Sequence, residues 1–215
     1  MSGLRLAALF GVYPHKLGFC GSQAQKDKNI IFNWLSGKKV PESTIKKLLQ
    51  GFEGAFPYYK LIAKANSIKD PFNEKVVKAY WIGNEFLENV SHTDLENLVH
   101  NEFTKKDIKI PKTSVAHHSF HVLVVGSVTG RIELKDNLLD LCKISCSVVI
   151  EKKDNGNVLV NGKKKEVFWN KKIVPNIEIG DTMALHWNNI VMPISKQDIT
   201  QLDKFTNITI NSLKQ

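Results

Sequence analysis

The hydrophobic period of this chain changes near residue 112, and few folds accommodate such a change. Up to about Lys112 apolar residues recur at helical spacing. "NEKVVKAYWIGNEFL" places Val76, Val77, Tyr80, Trp81, Asn84 and Leu87 on one broad helix face. Helix starts are signalled by Ser22 with Gln25 ahead of "KNIIFNWL", by Asp70-Pro71, and by Ser91 with Asp94. After "KIPKTS" the pattern becomes short β-branched and aromatic runs between turn signals. These runs are "HHSFHVLVV" (117–125), "GRIEL" (130–134), "DLCKISCSVVIE" (140–151), "NVLVN" (157–161), "KEVFW" (165–169) and "TMALHW" (182–187). Asp154-Asn155-Gly156 and Gly180-Asp181 mark tight turns between them. Ser195 with Asp198 then caps a closing helix whose Ile199, Leu202, Phe205 and Leu213 are expected to lie against the barrel. The expected class is α+β. An all-helical domain over 1–112 precedes a small antiparallel β-barrel or sandwich domain over 113–215 with a C-terminal helix, the two joined near 109–116.

Charge invites a nucleic-acid reading and then weakens it. The net charge is +9, but residues 1–110 carry 16 Lys+Arg against 11 Asp+Glu, and residues 111–215 carry 14 against 10. The excess is spread out, not gathered in an arm or stripe. Arg5 and Arg131 are the two arginines, whereas base reading and bidentate phosphate recognition favour arginine. The "KKK" at Lys163 to Lys165 follows Asn161-Gly162 and reads as a solvated turn. An RNA-binding small barrel is therefore the third-ranked reading. No apolar run approaches the roughly 20 residues needed to cross a bilayer. The start, "MSGLRLAALFGVYPHK", reads as a first helix rather than a secretion signal. Three cysteines do not make a disulfide framework, and a reducing cytoplasm is expected.

Three of the seven histidines fall in "HHSFH", 117–121. If this segment is a strand, His117 and His121 share one face about 13 Å apart, and His118 points the other way. One ion then cannot take all three. A single member joined by His186, His15, Cys20 or an acid from elsewhere is the lesser alternative, and no metal or other cofactor is expected. The same strand arithmetic puts Cys142 and Cys146 about 13 Å apart on one face, as buried, reduced apolar side chains. In the helical half, "YPHKLGFCG" places Tyr13, His15 and Cys20 on an irregular segment, and "GFEGAFPYY" places Glu53 among aromatics. Cys20, His15 and Glu53 can be written as nucleophile, base and orienter, though packing at a helix junction is the preferred reading. "AYWIGN" adds Tyr80, Trp81 and Asn84, with Gly83 permitting close approach of a neighbour. No phosphate-loop, nucleophile-elbow, zinc-protease or dinucleotide fingerprint is present. "GSVTGR" (126–131) leads from one expected strand to another, without a helix N-terminus to hold a phosphate.

The phrases "YPHKLGFCG", "GFEGAFPYYKLIA", "DPFNEKVVKAYWIGN", "HHSFHVLVVGSVTGRI", "LLDLCKI" and "GDTMALHW" resemble an uncharacterised prokaryotic family, a domain of unknown function, over nearly the whole chain. Some members accompany hydrogenase genes. The C-terminal half separately resembles the small barrel of HypC-type hydrogenase maturation chaperones, on "IEIGDTMALHWNNIVMPISKQDITQLDKFT". Those proteins present a cysteine at the start of the barrel chain, where this barrel half begins with histidines. The resemblance implies a cytoplasmic, non-catalytic accessory or assembly protein with a protein partner, serving hydrogenase or other metalloenzyme maturation. The alternative is an enzyme or metal-binding protein using Cys20, His15 and Glu53 or the His118/His121 region.

Overall fold

The computed structural model describes residues 1–103, 108–128, 132–133, 135–161 and 165–214. Helix α1 (Gly3–Lys16) buries Leu6, Ala7, Ala8, Leu9, Phe10 and Val12 together. A helix apolar around its whole circumference must be surrounded. Helices α2 (Ile30–Leu35), α3 (Glu42–Gln50) and α5 (Glu74–Trp81) surround it. Helix α4 (Phe56–Ala65) packs on α5, and α6 (His92–Glu102) on α4. Ser91 caps α6 as its spacing requires, accepting from Asp94 N at 3.1 Å.

Other starts differ from expectation. Ser22 donates to Asp27 at 2.6 Å within a loop, and α2 begins only at Ile30. Asp70 accepts from Phe72 N in a turn, and Asn73 is the cap of α5, accepting from Lys75 N. Helix α5 stops at Trp81. Gly83 follows at φ +97°, and a Cβ there would lie 2.1 Å from the Phe205 ring, so the close approach does require glycine. This turn takes Asn84 off the helix face, where it caps a 3₁₀ turn over Glu85–Asn89 by accepting from Phe86 N at 2.9 Å.

The largest correction concerns 117–125, which is helical and not a strand. His117 is extended, and its ring accepts from Ser119 N. Helix α7 (His118–Phe120) runs into a π-helical turn, His121–Val125, closed by Gly126 in the left-handed region at φ 61°. A short buried apolar run has the same composition in a helix as in a strand. Here every residue from His117 to Val122 is buried, so burial shows no period at all until Leu123 and Val124, and Val125 is buried again. A second helix, α8 (Asp136–Cys142), occupies the first part of the expected strand 140–151, so Cys142 and Cys146 do not share a strand. Helical segments thus continue well past residue 112. The expected strand 130–134 and the "GSVTGR" turn lie partly outside the described residues, where β1 (Ser127–Val128) pairs with β2 (Ile132–Glu133). Lys163 and Lys164 also lie outside them.

The remaining strands close a barrel in the order β3-β4-β5-β7-β6. They are β3 (Ser145–Lys152), β4 (Asn157–Val160), β5 (Lys165–Phe168), β6 (Thr182–His186) and β7 (Asn189–Pro193). Their buried side chains include Val149, Val158, Val160, Val167, Met183 and Ile190. The barrel is mixed, not purely antiparallel: β5 meets β7 in parallel at Phe168 and Asn189. A closed ring of five strands cannot alternate direction throughout, so one neighbouring pair has to be parallel. The hairpins sit at the expected 154–156 and at Trp187-Asn188, both at positive φ (53° and 57°). Helix α9 (Lys196–Ser212) is capped by Ser195, which accepts from Asp198 N at 3.1 Å. It turns back onto the helical part: Leu202 and Phe205 are buried, Thr209 bonds Ser119 at 2.8 Å, and Leu213 is exposed.

One continuous apolar core runs from α1 into the barrel. The contact is direct, with Phe19 stacked on Trp187 at 4.3 Å and Trp187 N donating to Leu141 O at 2.8 Å.

Candidate functional site

The candidate residues fall into two adjacent places. The first is the end of α1 and the loop after it: Tyr13 and His15, expected on an irregular segment, lie in the helix, which runs through Pro14 to Lys16, and the irregular stretch begins at Leu17. His15 is fully buried, with Nδ1 2.9 Å from the Cys20 carbonyl and Nε2 3.3 Å from the Asp27 carbonyl. Glu53 accepts from Gly21 N at 3.1 Å. Tyr13 is buried, and its hydroxyl has no hydrogen-bond partner among the described residues. Burial drives the Tyr13 pKa far up. The imidazole and carboxylate fasten the Cys20–Asp27 loop through its main chain, which is not the geometry of a base aimed at a thiol. Outside this loop lies an open groove of about 590 Å³, lined in part by Gln23, Lys26, Lys47 and Glu53.

The second place is the junction of the helical part with the barrel. Helix α5 delivers Tyr80 and Trp81, α7 delivers His118, α8 delivers Cys142, and the end of β6 delivers His186. Trp81 stacks on Phe10 at 5.0 Å and donates Nε1–H to the Tyr59 hydroxyl at 2.5 Å. Tyr80 donates to the Gly54 carbonyl and lies 3.1 Å from His118 Nδ1. The other nitrogen of His118 sits 2.9 Å from the Cys142 carbonyl and 3.9 Å from its sulfur. His186 Nδ1 is 2.7 Å from the Phe10 carbonyl, and its ring meets His118 edge-on with centroids 5.4 Å apart. His121, one turn after His118, bonds Tyr58 at 3.3 Å and presses its Nε2 against Gly54, where a Cβ would come within 2.9 Å.

The imidazoles of His118, His121 and His186, and that of His117, which bonds Ser119 2.7 Å away beside the Phe205 ring, are neutral near pH 7. Burial lowers the His118 pKa to about 4. It lowers those of His117, His121 and His186 to about 3, with repulsion from His118 adding to the effect. Burial also raises Tyr58 and Tyr80 well above the phenol range. The Cys142 thiol is pushed far up by burial and then by Cys20, with the Trp187 indole working the other way. Half-buried Cys146 is pushed up to about 11 by burial and then by Asp203 and Asp198. All three cysteines are free thiols.

Of the residues singled out by sequence, the structure brings Tyr80, Trp81, His118 and His186 together, with His121 alongside. Tyr13 and His15 sit on the last turn of α1, Cys20 in the loop that follows and Glu53 in the connection from α3 to α4, and Asn84 is a turn cap. Cys142 as the neighbour of His118 was hidden by the strand assignment. The helical spacing of Leu138, Leu139 and Cys142 in "DNLLDLC" was its signal. Nothing in the sequence pointed to Tyr58 or to the Phe10 carbonyl.

The chain belongs to a family of unknown function (DUF6390), whose model matches residues 1–215. This agrees with the expected uncharacterised family over nearly the whole chain. No curated protein and no solved structure matches it. The likeness to HypC-type proteins reduces to a small five-strand barrel in the C-terminal part. Among the described residues no helix is long and apolar enough to cross a membrane.

Proposed function

We propose that this chain is a cytoplasmic, non-catalytic accessory or assembly protein that acts by binding another protein. One observation carries the reading: where imidazole, thiol and phenol side chains converge, they are sealed in the core and held neutral. General acid–base catalysis needs a group that exchanges protons near the working pH and meets substrate. The junction histidines lie below that range, and Cys142 and the tyrosines lie above it. The loop set supports the same reading, because His15 and Glu53 hold main chain in place.

The barrel surface offers contact instead: Phe168 is 45% exposed and Ile179 64%. Lysines such as Lys46, Lys60 and Lys153 are paired with Asp70, Glu102 and Glu166, which weakens the nucleic-acid alternative. The narrower form, service to hydrogenase or another metalloenzyme, rests on the family resemblance alone. Cross-linking in the native organism should trap one protein in stoichiometric yield, and Phe168→Asp with Ile179→Asp should reduce that yield while leaving the fold intact. A wild-type chain that stays free under cross-linking would count against the accessory role.

A further inference from the structure

Around His118, two protons serve three contacts. Tyr80 donates its hydroxyl to the Gly54 carbonyl, His118 Nδ1 lies 3.1 Å from the Tyr80 oxygen, and His118 Nε2 lies 2.9 Å from the Cys142 carbonyl. Carbonyls only accept, and a neutral imidazole carries a single N–H. The phenol hydrogen and the imidazole hydrogen fill two contacts and leave the third empty, and the further hydrogen at hand, on the Cys142 thiol 3.9 Å from Nε2, is a weak donor that can serve this ring only when the imidazole hydrogen sits on Nδ1. An imidazolium would fill all three, but a buried cation is costly.

His186 supplies the complement. Its Nδ1 lies 2.7 Å from the Phe10 carbonyl, so Nδ1 carries the hydrogen and Nε2 is a bare lone pair. That Nε2 is buried and makes no well-formed hydrogen bond among the described residues; the neighbour that interacts with it is the Cys142 main chain, which offers a carbonyl and no proton. His118, Cys142 and His186 each offer one ligand atom, and the three atoms lie within 4.8 Å of one another.

We propose that His118, Cys142 and His186 form a binding site for one thiolate-seeking d¹⁰ ion, Cu⁺ or Zn²⁺, between the helical part and the barrel. With the ion on His118 Nε2, the hydrogen moves to Nδ1 and is donated to Tyr80, which donates to Gly54. The proton shortage disappears. The Cys142 carbonyl loses its imidazole contact, and an under-satisfied carbonyl is the cheaper vacancy. Tyr80 behind His118 and the Phe10 carbonyl behind His186 stand where metal-binding imidazoles find their orienting partners. Metal–ligand bonds of about 2.0–2.3 Å put donor atoms roughly 3.3–3.8 Å apart. His118 Nε2 and Cys142 Sγ, at 3.9 Å, are already close to that, and closing the set takes a side-chain movement of about 1 Å.

Loading releases the Cys142 thiol proton to solvent, one per ion, and nothing is oxidised or reduced. Charge separates the two ions. One thiolate neutralises Cu⁺ completely, whereas Zn²⁺ keeps a positive charge in the core unless hydroxide takes its open position. Charge balance therefore favours Cu⁺. This site does not depend on the accessory role.

The full chain, purified without a tag and kept reduced, is titrated separately with Cu⁺ against a competing chelator and with Zn²⁺. One ion per chain is expected in at least one arm. Cys142→Ala and His186→Gln should abolish stoichiometric binding, and Tyr80→Phe should weaken it about 10–100-fold while keeping every ligand. X-ray absorption on loaded wild-type protein should show one sulfur and two nitrogens, a readout that stands even if a variant fails to fold. Zn²⁺ binding alone would uphold the site and overturn the preference for Cu⁺. Absence of a stoichiometric ion in both arms, an ion shell without sulfur, or unchanged affinity in a folded Cys142→Ala variant would overturn the site.

Discussion

His15 and His118 are both buried imidazoles that face the main-chain carbonyl of a cysteine, Cys20 in one case and Cys142 in the other. Their second nitrogens differ. That of His15 meets another carbonyl of the same loop, Asp27, so the ring closes a short stretch of chain on itself. That of His118 meets a phenol from α5, and its ring stands against an imidazole from β6. The first histidine is local staple chemistry, and the second ties together segments remote in sequence. Burial alone does not tell the two apart. The origin of the atoms around the ring does.

The largest expected effect sets the junction against acid. The folded pKa values of His118 (about 4) and of His117, His121 and His186 (about 3) all lie below the unfolded value near 6.5. The unfolded chain then takes up protons that the folded chain refuses. Stability is fully present above about pH 6.5 and is lost as pH falls toward the folded values, by on the order of a few kcal/mol for each histidine. Denaturant midpoints followed from pH 7 to pH 5, above most carboxylate titration, should fall steeply. A flat profile would deny that these groups are buried neutral.

Next in size is a direct contest between the two histidines. His118→Ala should cost roughly 2–4 kcal/mol, through the vacated volume and the stranded partners. His15→Ala should cost roughly 1–2 kcal/mol, because its loop carbonyls can turn to water. Chemical denaturation of both variants measures the gap, and equal losses would erase the distinction. Smaller still is Glu53→Gln, which weakens the charged acceptor for Gly21 N–H by about 0.5–1 kcal/mol. Smallest is a cut in the connection. Limited proteolysis at 109–114 should give two resistant fragments that elute together, since Phe10 and His186 are joined across the junction and not through the linker. Fragments that separate on a sizing column would show that the linker carries the association.

The sequence disclosed the parts of this fold that are decided locally. Ser91 and Ser195 cap the helices their spacing marked, and the 154–156 hairpin closes where its turn residues fall, with Gly156 at φ +84°. It misplaced 117–125 because a buried run of valines and leucine satisfies a strand pattern and a helix pattern alike. That reading, together with the strand reading of 140–151 that α8 replaces, separates His118 from Cys142 and conceals the junction set. The contact from His186 to Phe10 spans 176 residues, and no local pattern encodes a pairing at that distance.

Helix α1, buried on nearly every side, has a consequence for how this protein is made. A ribosome adds roughly 5–20 residues per second, so the 176 residues from Phe10 on to His186 take on the order of 9–35 s to appear at those rates. During that interval α1 has its helical neighbours but no barrel to cover the rest of its apolar surface. Nascent chains stalled before β6 should therefore engage holdase chaperones or aggregate, and slowing translation should lower the soluble yield more sharply than destabilising the finished fold.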